Sequence, residues 1–265
     1  LEEGKIDLVI SMVSLRGTDV FALAKQIKEK YEKIPIVVLT YFSREVSLRL
    51  AGEDLSAIDY VFCWLGEASL ILAIIKLIED KMNADHDIEN IGVQAIIIVE
   101  NSIRYISSYL PSIYRIVLQQ SLDFQREALN EHQKTLKMRG RPKILLANNY
   151  NDALALYRKY KYNVLGLISD ISYKRDGITD ENAGIQLCRT VMADDDNVPF
   201  LLQSSNADHR KKAEELGAGF IHKYSKTLSL ELRNFIIQNL SFGPFVFRNP
   251  ETVEPIAIAT DLQSL

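Results

Sequence analysis

The chain reads as an α/β protein built on parallel sheets and divided into two domains. Two observations predict this. Short, unbroken apolar runs stop abruptly at polar residues: Ala95–Val99 before Glu100-Asn101-Ser102, Val164–Ser169 before Asp170, and Val198–Gln203 before Ser204-Ser205. Strands buried on both faces of a parallel sheet have this character, and segments of helical periodicity separate them. The plan also occurs twice, first over 1–90 and again over 91–240. A length of 265 residues allows two domains, each with its own core.

In the first domain, Asp7–Ser11 reads as a strand and Thr18–Tyr31 as a helix that stops before Ile34-Pro35. Ile36–Leu39 is a strand ending in Thr40, Asp59–Cys63 is another, and Ser69–Met82 is an amphipathic helix. After Ala95–Val99, Ile103, Ile106, Leu110, Ile113 and Val117 recur three and four apart, with Phe124 and Ala128 in phase. That stripe predicts one long helix, bent but not ended by Pro111. Its polar second half, Asp123–Lys137, is the expected interdomain or homodimer contact, and His132 within it reads as an exposed helical histidine. Lys137–Lys143 is a basic cluster between a helix and a strand, expected to be a solvated turn. Phe242–Asn249 reads as irregular, and Pro250–Leu265 as a linker running into a helix start.

Hydrophobic residues at 47% and charged residues at 25% fit a globular protein, and a net charge of −4 gives no footprint for nucleic acid. No apolar run reaches bilayer-spanning length and no signal peptide opens the chain, so no membrane partner is expected. Cys63 and Cys188 lie in apolar surroundings, which predicts reduced, buried thiols and a cytoplasmic setting. His86, His209 and His222 show no metal-ligand spacing.

The chemistry-bearing residues collect at strand ends, where ligands of open α/β sheets bind. Asp170 closes one run, Glu100-Asn101 another and Ser204 a third, while Gly217–His222 runs into Lys223. A carboxylate in such a place can act as a nucleophile or metal ligand. The set resembles the receiver domain of bacterial response regulators, marked by an acidic pair, a phosphoacceptor Asp, a Ser or Thr, and a Lys. The resemblance spans about Val93–Leu240 and implies flavodoxin-like, three-layer domains, the second with an extended first helix. It implies that Asp170 accepts a phosphoryl group, that Lys223 pairs with the phosphoryl oxygens, and that the Ser204 hydroxyl bonds one of them. Glu100, Asn101, Asp170 and the backbone carbonyl of Ser172 would hold Mg²⁺, and Phe220 would be the aromatic that repacks on phosphorylation.

Several positions depart from that pattern. Asn101 stands where a second carboxylate is usual, which predicts weaker Mg²⁺ binding. Lys174 replaces a proline, and Ile178–Asn182 reads as an insertion before Ala183-Gly184. In the first domain, Thr40 and Tyr60 are aligned with the hydroxyl and aromatic positions. Met12 takes the acceptor position, and Cys63 followed by Trp64 the lysine position. That domain is therefore expected to be a pseudo-receiver whose opening half precedes Leu1 in the parent protein.

The duplicated receivers, the long helix and the tail together resemble the front of bacterial proteins related to phosphoenolpyruvate synthase and pyruvate phosphate dikinase. This implies that the chain is regulatory, not an enzyme, and that a phosphotransferase output domain follows it. The expected partner is a histidine kinase or phosphotransfer protein. The alternative is a module that dimerises or gates the enzyme without phosphorylation. Phosphatase chemistry of the haloacid-dehalogenase kind would need an Asp at Ser172, and a flavodoxin would need a better phosphate loop than Glu100–Arg104.

Overall fold

The computed structural model describes residues 6–14, 17–41, 52–126, 141–240, 245–248 and 255–259, with side chains described as far as 122 in the long helix and over 141–240 after it. The chain forms two compact units, Leu1–Ile78 with Ser102–Pro111, and Glu79–Asn101 with Ser112–Leu265.

The first unit carries three parallel strands, β1 (Val9–Met12), β2 (Ile36–Thr40) and β3 (Tyr60–Cys63), in that order, with helix α1 (Val20–Lys30) between the first two. Asp19 caps α1 by accepting the Phe21 N–H at 3.0 Å, which satisfies a donor that the first turn leaves open. Val13, Val20, Phe21 and Val38 form its core, with Ile103 packed against them. Asp59 Oδ2 takes both the Lys28 ammonium at 2.9 Å and the Ile36 N–H at 3.0 Å, tying helix, strand and connection together.

Helix α2 (Ala68–Ala84) leads to β4 (Ala95–Val99), and α3 (Ile103–Arg126) follows. The remaining elements are β5 (Lys143–Ala147), α4 (Tyr150–Tyr160), β6 (Val164–Asp170), β7 (Tyr173–Arg175), β8 (Ile178–Asp180) and α5 (Ala183–Asp194). They continue through β9 (Phe200–Ser204), α6 (His209–Glu215), β10 (Gly219–His222) and α7 (Leu228–Asn239) to β11 (Phe245–Arg248) and β12 (Pro255–Ala259).

The second unit's five parallel strands run β10-β9-β6-β4-β5. Numbered within the sheet by chain order, this is 2-1-3-4-5, the doubly wound flavodoxin-like order that the sequence predicts. The long helix, expected from the apolar stripe, continues through Pro111 to Arg126. The side chains of Phe124, Ala128 and His132, and with them most of the proposed contact surface Asp123–Lys137, lie outside the described residues.

The core of this unit packs Ile97, Val99, Leu167, Phe200 and Leu202 of the sheet against Ala153 and Tyr157 of α4 and Leu187, Cys188 and Val191 of α5. A buried charge fixes the N-terminal end of β5. Asp80, with no solvent exposure, accepts the Tyr114 hydroxyl at 2.9 Å, the Arg141 guanidinium at 3.0 Å and the Ile144 N–H at 3.0 Å. The pairing offsets the desolvation that an isolated carboxylate would suffer there.

Three segments differ from expectation. The loop after Asp170 is a β-hairpin, β7 against β8, which begins before the expected insertion Ile178–Asn182 and turns on Asp176 and Gly177 with φ of 51° and 81°. Positive φ at both central residues is the type I′ arrangement that Asp-Gly favours. The tail holds an antiparallel pair, β11 in the stretch expected to be irregular and β12 where a linker and helix start are expected; Phe-Val-Phe and Ile-Ala-Ile are short apolar runs rich in aromatic and β-branched residues.

The third difference concerns register. Met12 pairs with Leu39 and Thr40 with Cys63, and Trp64 N–H donates to the Thr40 carbonyl at 2.7 Å. In the second unit, Asp170 pairs with Gln203 and Ser204 with His222, and Lys223 N–H donates to the Ser204 carbonyl at 2.8 Å. The equivalents of Asp170, Ser204 and Lys223 are therefore Met12, Thr40 and Trp64, not Cys63. By the same register, the residue that corresponds to Phe220 is Val61, not Tyr60. A one-residue slip along a strand exchanges its faces, which is why the choice matters.

Candidate functional site

The carboxyl ends of β4, β6 and β9, and the residue after β10, bring Glu100, Asp170, Ser204 and Lys223 to one edge of the sheet. The Lys223 ammonium lies 2.7 Å from Glu100 Oε2 and 2.8 Å from Asp170 Oδ2. It joins two carboxylates at the ends of the neighbouring strands β4 and β6. The side chains of Glu100 and Lys223 are 0% and 4% exposed, whereas that of Asp170 is 12% exposed. Asp170 is thus the member of the cluster most exposed to solvent. Its other oxygen, Oδ1, accepts the Ile171 N–H at 2.8 Å, which fixes the carboxylate plane.

Two carboxylates, one buried and one partly exposed, flank one cation. Asn101 adds a neutral oxygen donor from an exposed position at the start of the connection to α3, and Ser172 is half-buried in the turn after β6. Oxygen donors of this kind suit a hard cation such as Mg²⁺. Among the described residues, however, no group of three or more His, Cys, Asp or Glu side chains is arranged to hold a metal. Glu100 and Asp170, with neutral oxygens from Asn101 and the Ser172 carbonyl, are the residues that could hold such an ion.

Several residues around Asp170 have no signal in their own identity. Gly184, in the first turn of α5, is seated against the end of β6, and its N–H donates to the Ile171 carbonyl at 2.9 Å. A β-carbon on it would meet the Asp170 carbonyl oxygen and come within 2.8 Å of Ile171 Cα. Tyr173, fully buried, lies 3.1 Å from Ser169 Oγ, which donates to the Asp170 carbonyl at 2.7 Å. Burial pushes the Tyr173 phenol well above its usual range, so it stays neutral. Asn151 and Asp176 clasp the hairpin to α4 by two hydrogen bonds of 2.9 and 3.0 Å.

Ser204 and Phe220 both meet the start of α6. The Ser204 hydroxyl accepts the Asn206 N–H at 3.1 Å and lies 2.9 Å from His209 Nδ1. The guanidinium of Arg210 stands 5.0 Å over the ring of Phe220, which belongs to the same buried cluster as Ala213 and Ala218. Gln203, beside Asp170 in the register, is buried, and its side-chain nitrogen has no hydrogen-bond partner among the described residues. An Asp-Lys-Glu cluster at the strand ends of a doubly wound domain is thus what the fold and site together define.

No protein-family model matches the chain, and no curated protein matches it. Among solved structures, it is similar to a response regulator receiver domain protein from Clostridium thermocellum, at 12% identity and a TM-score of 0.35 over 53% of this chain and 90% of that one. It is also similar to the chemotaxis response regulator CheY4 of Vibrio cholerae, at 16% identity and a TM-score of 0.34, over 56% of this chain and 99% of that one. Among the described residues, no helix is long and apolar enough to cross a membrane.

Proposed function

We propose that the second unit is a receiver module in which Asp170 accepts a phosphoryl group and thereby regulates an attached or partner output enzyme. The observation that carries this reading is the Lys223 ammonium, held within 2.8 Å of an accessible Asp170 at the carboxyl end of β6. Asp170 Oδ2 attacks the phosphorus of the donor, and the bond to the leaving group breaks as the acyl phosphate forms. Lys223, keeping Glu100 as its buried counter-charge, turns from Asp170 to the incoming phosphoryl oxygens. Preorganised charge of this kind is the main resource for phosphoryl transfer. Glu100, Asn101, Asp170 and the Ser172 carbonyl would hold Mg²⁺, which when bound draws together and neutralises anionic oxygens. Ser204 and Phe220 then report the change to the surface around α6.

The first unit, with Met12 and Trp64 in register with Asp170 and Lys223, has neither nucleophile nor cation at those positions and serves as a degenerate receiver. A histidine kinase or phosphotransfer protein is the donor, and the output is an enzyme of the phosphoenolpyruvate synthase kind. A second reading is a phosphorylation-independent interaction module. It is favoured by the neutral Asn101 and by the fact that Lys223 already bridges both carboxylates. Fluorine NMR with beryllofluoride and Mg²⁺ separates the two. The phosphoacceptor reading expects a bound resonance in the wild type that Asp170→Asn abolishes, and the interaction-module reading expects none in either.

A further inference from the structure

Ser204 is 5% exposed, and its hydroxyl has one hydrogen to give. Of its two side-chain contacts among the described residues, the Asn206 N–H is a donor, so the remaining partner, His209 Nδ1, is the acceptor available to that hydrogen. Buried hydroxyl protons are rarely left without a partner. The neutral imidazole, carrying its proton on Nε2, therefore takes the Ser204 hydrogen. That is the hydrogen Ser204 would need to donate to a phosphoryl group on Asp170. A protonated imidazole donates from Nδ1 instead, and the hydroxyl hydrogen is then free to turn.

We propose that His209 is a positioning residue that holds the Ser204 hydroxyl away from the acceptor site while neutral and releases it when protonated, so that phosphoacceptance by Asp170 responds to pH. This rests on the reading of Asp170 as the phosphoacceptor. The atoms balance simply: one proton from solvent arrives on His209 Nδ1, and the Ser204 hydrogen exchanges that nitrogen for a phosphoryl oxygen. The charges that bear on the imidazole are Asp208 and Lys212 from its own segment, Asp170 from the end of β6 and Glu181 from the turn before α5. Burial, aided by Lys212, outweighs the three carboxylates and holds the histidine below its usual value. The neutral, restraining form is accordingly the one present at pH 7.

Two measurements on the full chain test this. Nitrogen-15 NMR of the histidine ring reads the tautomer directly, and acetyl phosphate labelling with Mg²⁺ is followed between about pH 8 and pH 5.5, the range that spans histidine titration. The expected result is an Nε2-protonated His209 at neutral pH. Wild-type labelling should rise as the charged fraction grows, by about tenfold per pH unit above the histidine pKa. His209→Ala should label faster than wild type at pH 8, with a flattened profile, and Ser204→Ala should also lose the pH dependence but label slowly. A neutral-pH His209 protonated on Nδ1 would overturn the proposal, as would a pH profile that His209→Ala leaves unchanged. If Asp170 takes no label at any pH in any of these proteins, the phosphoacceptor reading itself falls and the gating role falls with it.

Discussion

Replacing Gly184 by alanine should damage the site by moving Asp170, although Gly184 never touches a ligand. The added β-carbon would sit 2.8 Å from Ile171 Cα and 3.0 Å from the Asp170 carbonyl carbon, and closer still to the Asp170 carbonyl oxygen. Carbon atoms rest about 3.5–4.0 Å apart, so α5 and the end of β6 must separate by about 0.7 Å or more. The obstacles are backbone atoms, which cannot rotate out of the way. Overpacking of this kind costs about 1–3 kcal/mol, and the better helix propensity of alanine returns at most about 1 kcal/mol. A net loss of about 1–2 kcal/mol is expected in urea denaturation. A displacement approaching 1 Å can also cost about 100-fold in a reaction that depends on positioning. Acetyl phosphate labelling of Gly184→Ala should therefore slow far more than the stability loss alone would require. A variant as stable as wild type and labelled at the same rate would refute the close approach.

Three further outcomes follow from the same geometry. Lys223→Met leaves Glu100 buried opposite Asp170 with no cation between them, and should cost about 3–5 kcal/mol of stability in urea, most of it restored by adding Glu100→Gln. Asn101→Asp places a second acidic ligand beside Glu100 and should tighten Mg²⁺ in a direct titration; unchanged affinity would remove Asn101 from the metal site. Because folding lowers the His209 pKa, the unfolded chain binds more protons, so its contribution to stability is full above about pH 6.5 and is lost as pH falls through the lower folded value. Between pH 7 and pH 5, wild type should lose more stability than His209→Gln, and parallel curves in thermal denaturation would contradict this.

The sheet and its chemistry were legible because both signals are local. An apolar run and the polar residue that stops it are adjacent in sequence, so Glu100, Asp170 and Ser204 stand out where β4, β6 and β9 end. Residues whose importance arises only on packing did not stand out. Gly184 looks like any helical glycine until the end of β6 is placed against it, and nothing in the residues around His209 marks the serine hydroxyl that it meets.

The slip between Cys63 and Trp64 has a different cause. Tyr-Val-Phe-Cys-Trp is apolar throughout, so nothing in its pattern marks which residue follows the last ladder pair; the Trp64 N–H to the Thr40 carbonyl does. Two missed elements did carry readable signals. Asp176-Gly177 between Tyr-Lys-Arg and Ile-Thr-Asp is a hairpin turn, and Phe-Val-Phe and Ile-Ala-Ile in the tail are short runs of strand-favouring residues. Division of the chain by sequence position also could not express that Ser102–Pro111 belongs with the first unit while the rest of α3 belongs with the second.

Intact-mass and peptide analysis after incubation with acetyl phosphate and Mg²⁺ decides whether Asp170 is the phosphoacceptor. The wild type should gain one phosphoryl group, located on the peptide that contains Asp170 and absent from Asp170→Asn. A wild-type chain that gains no mass, or a label that persists in Asp170→Asn, would contradict it.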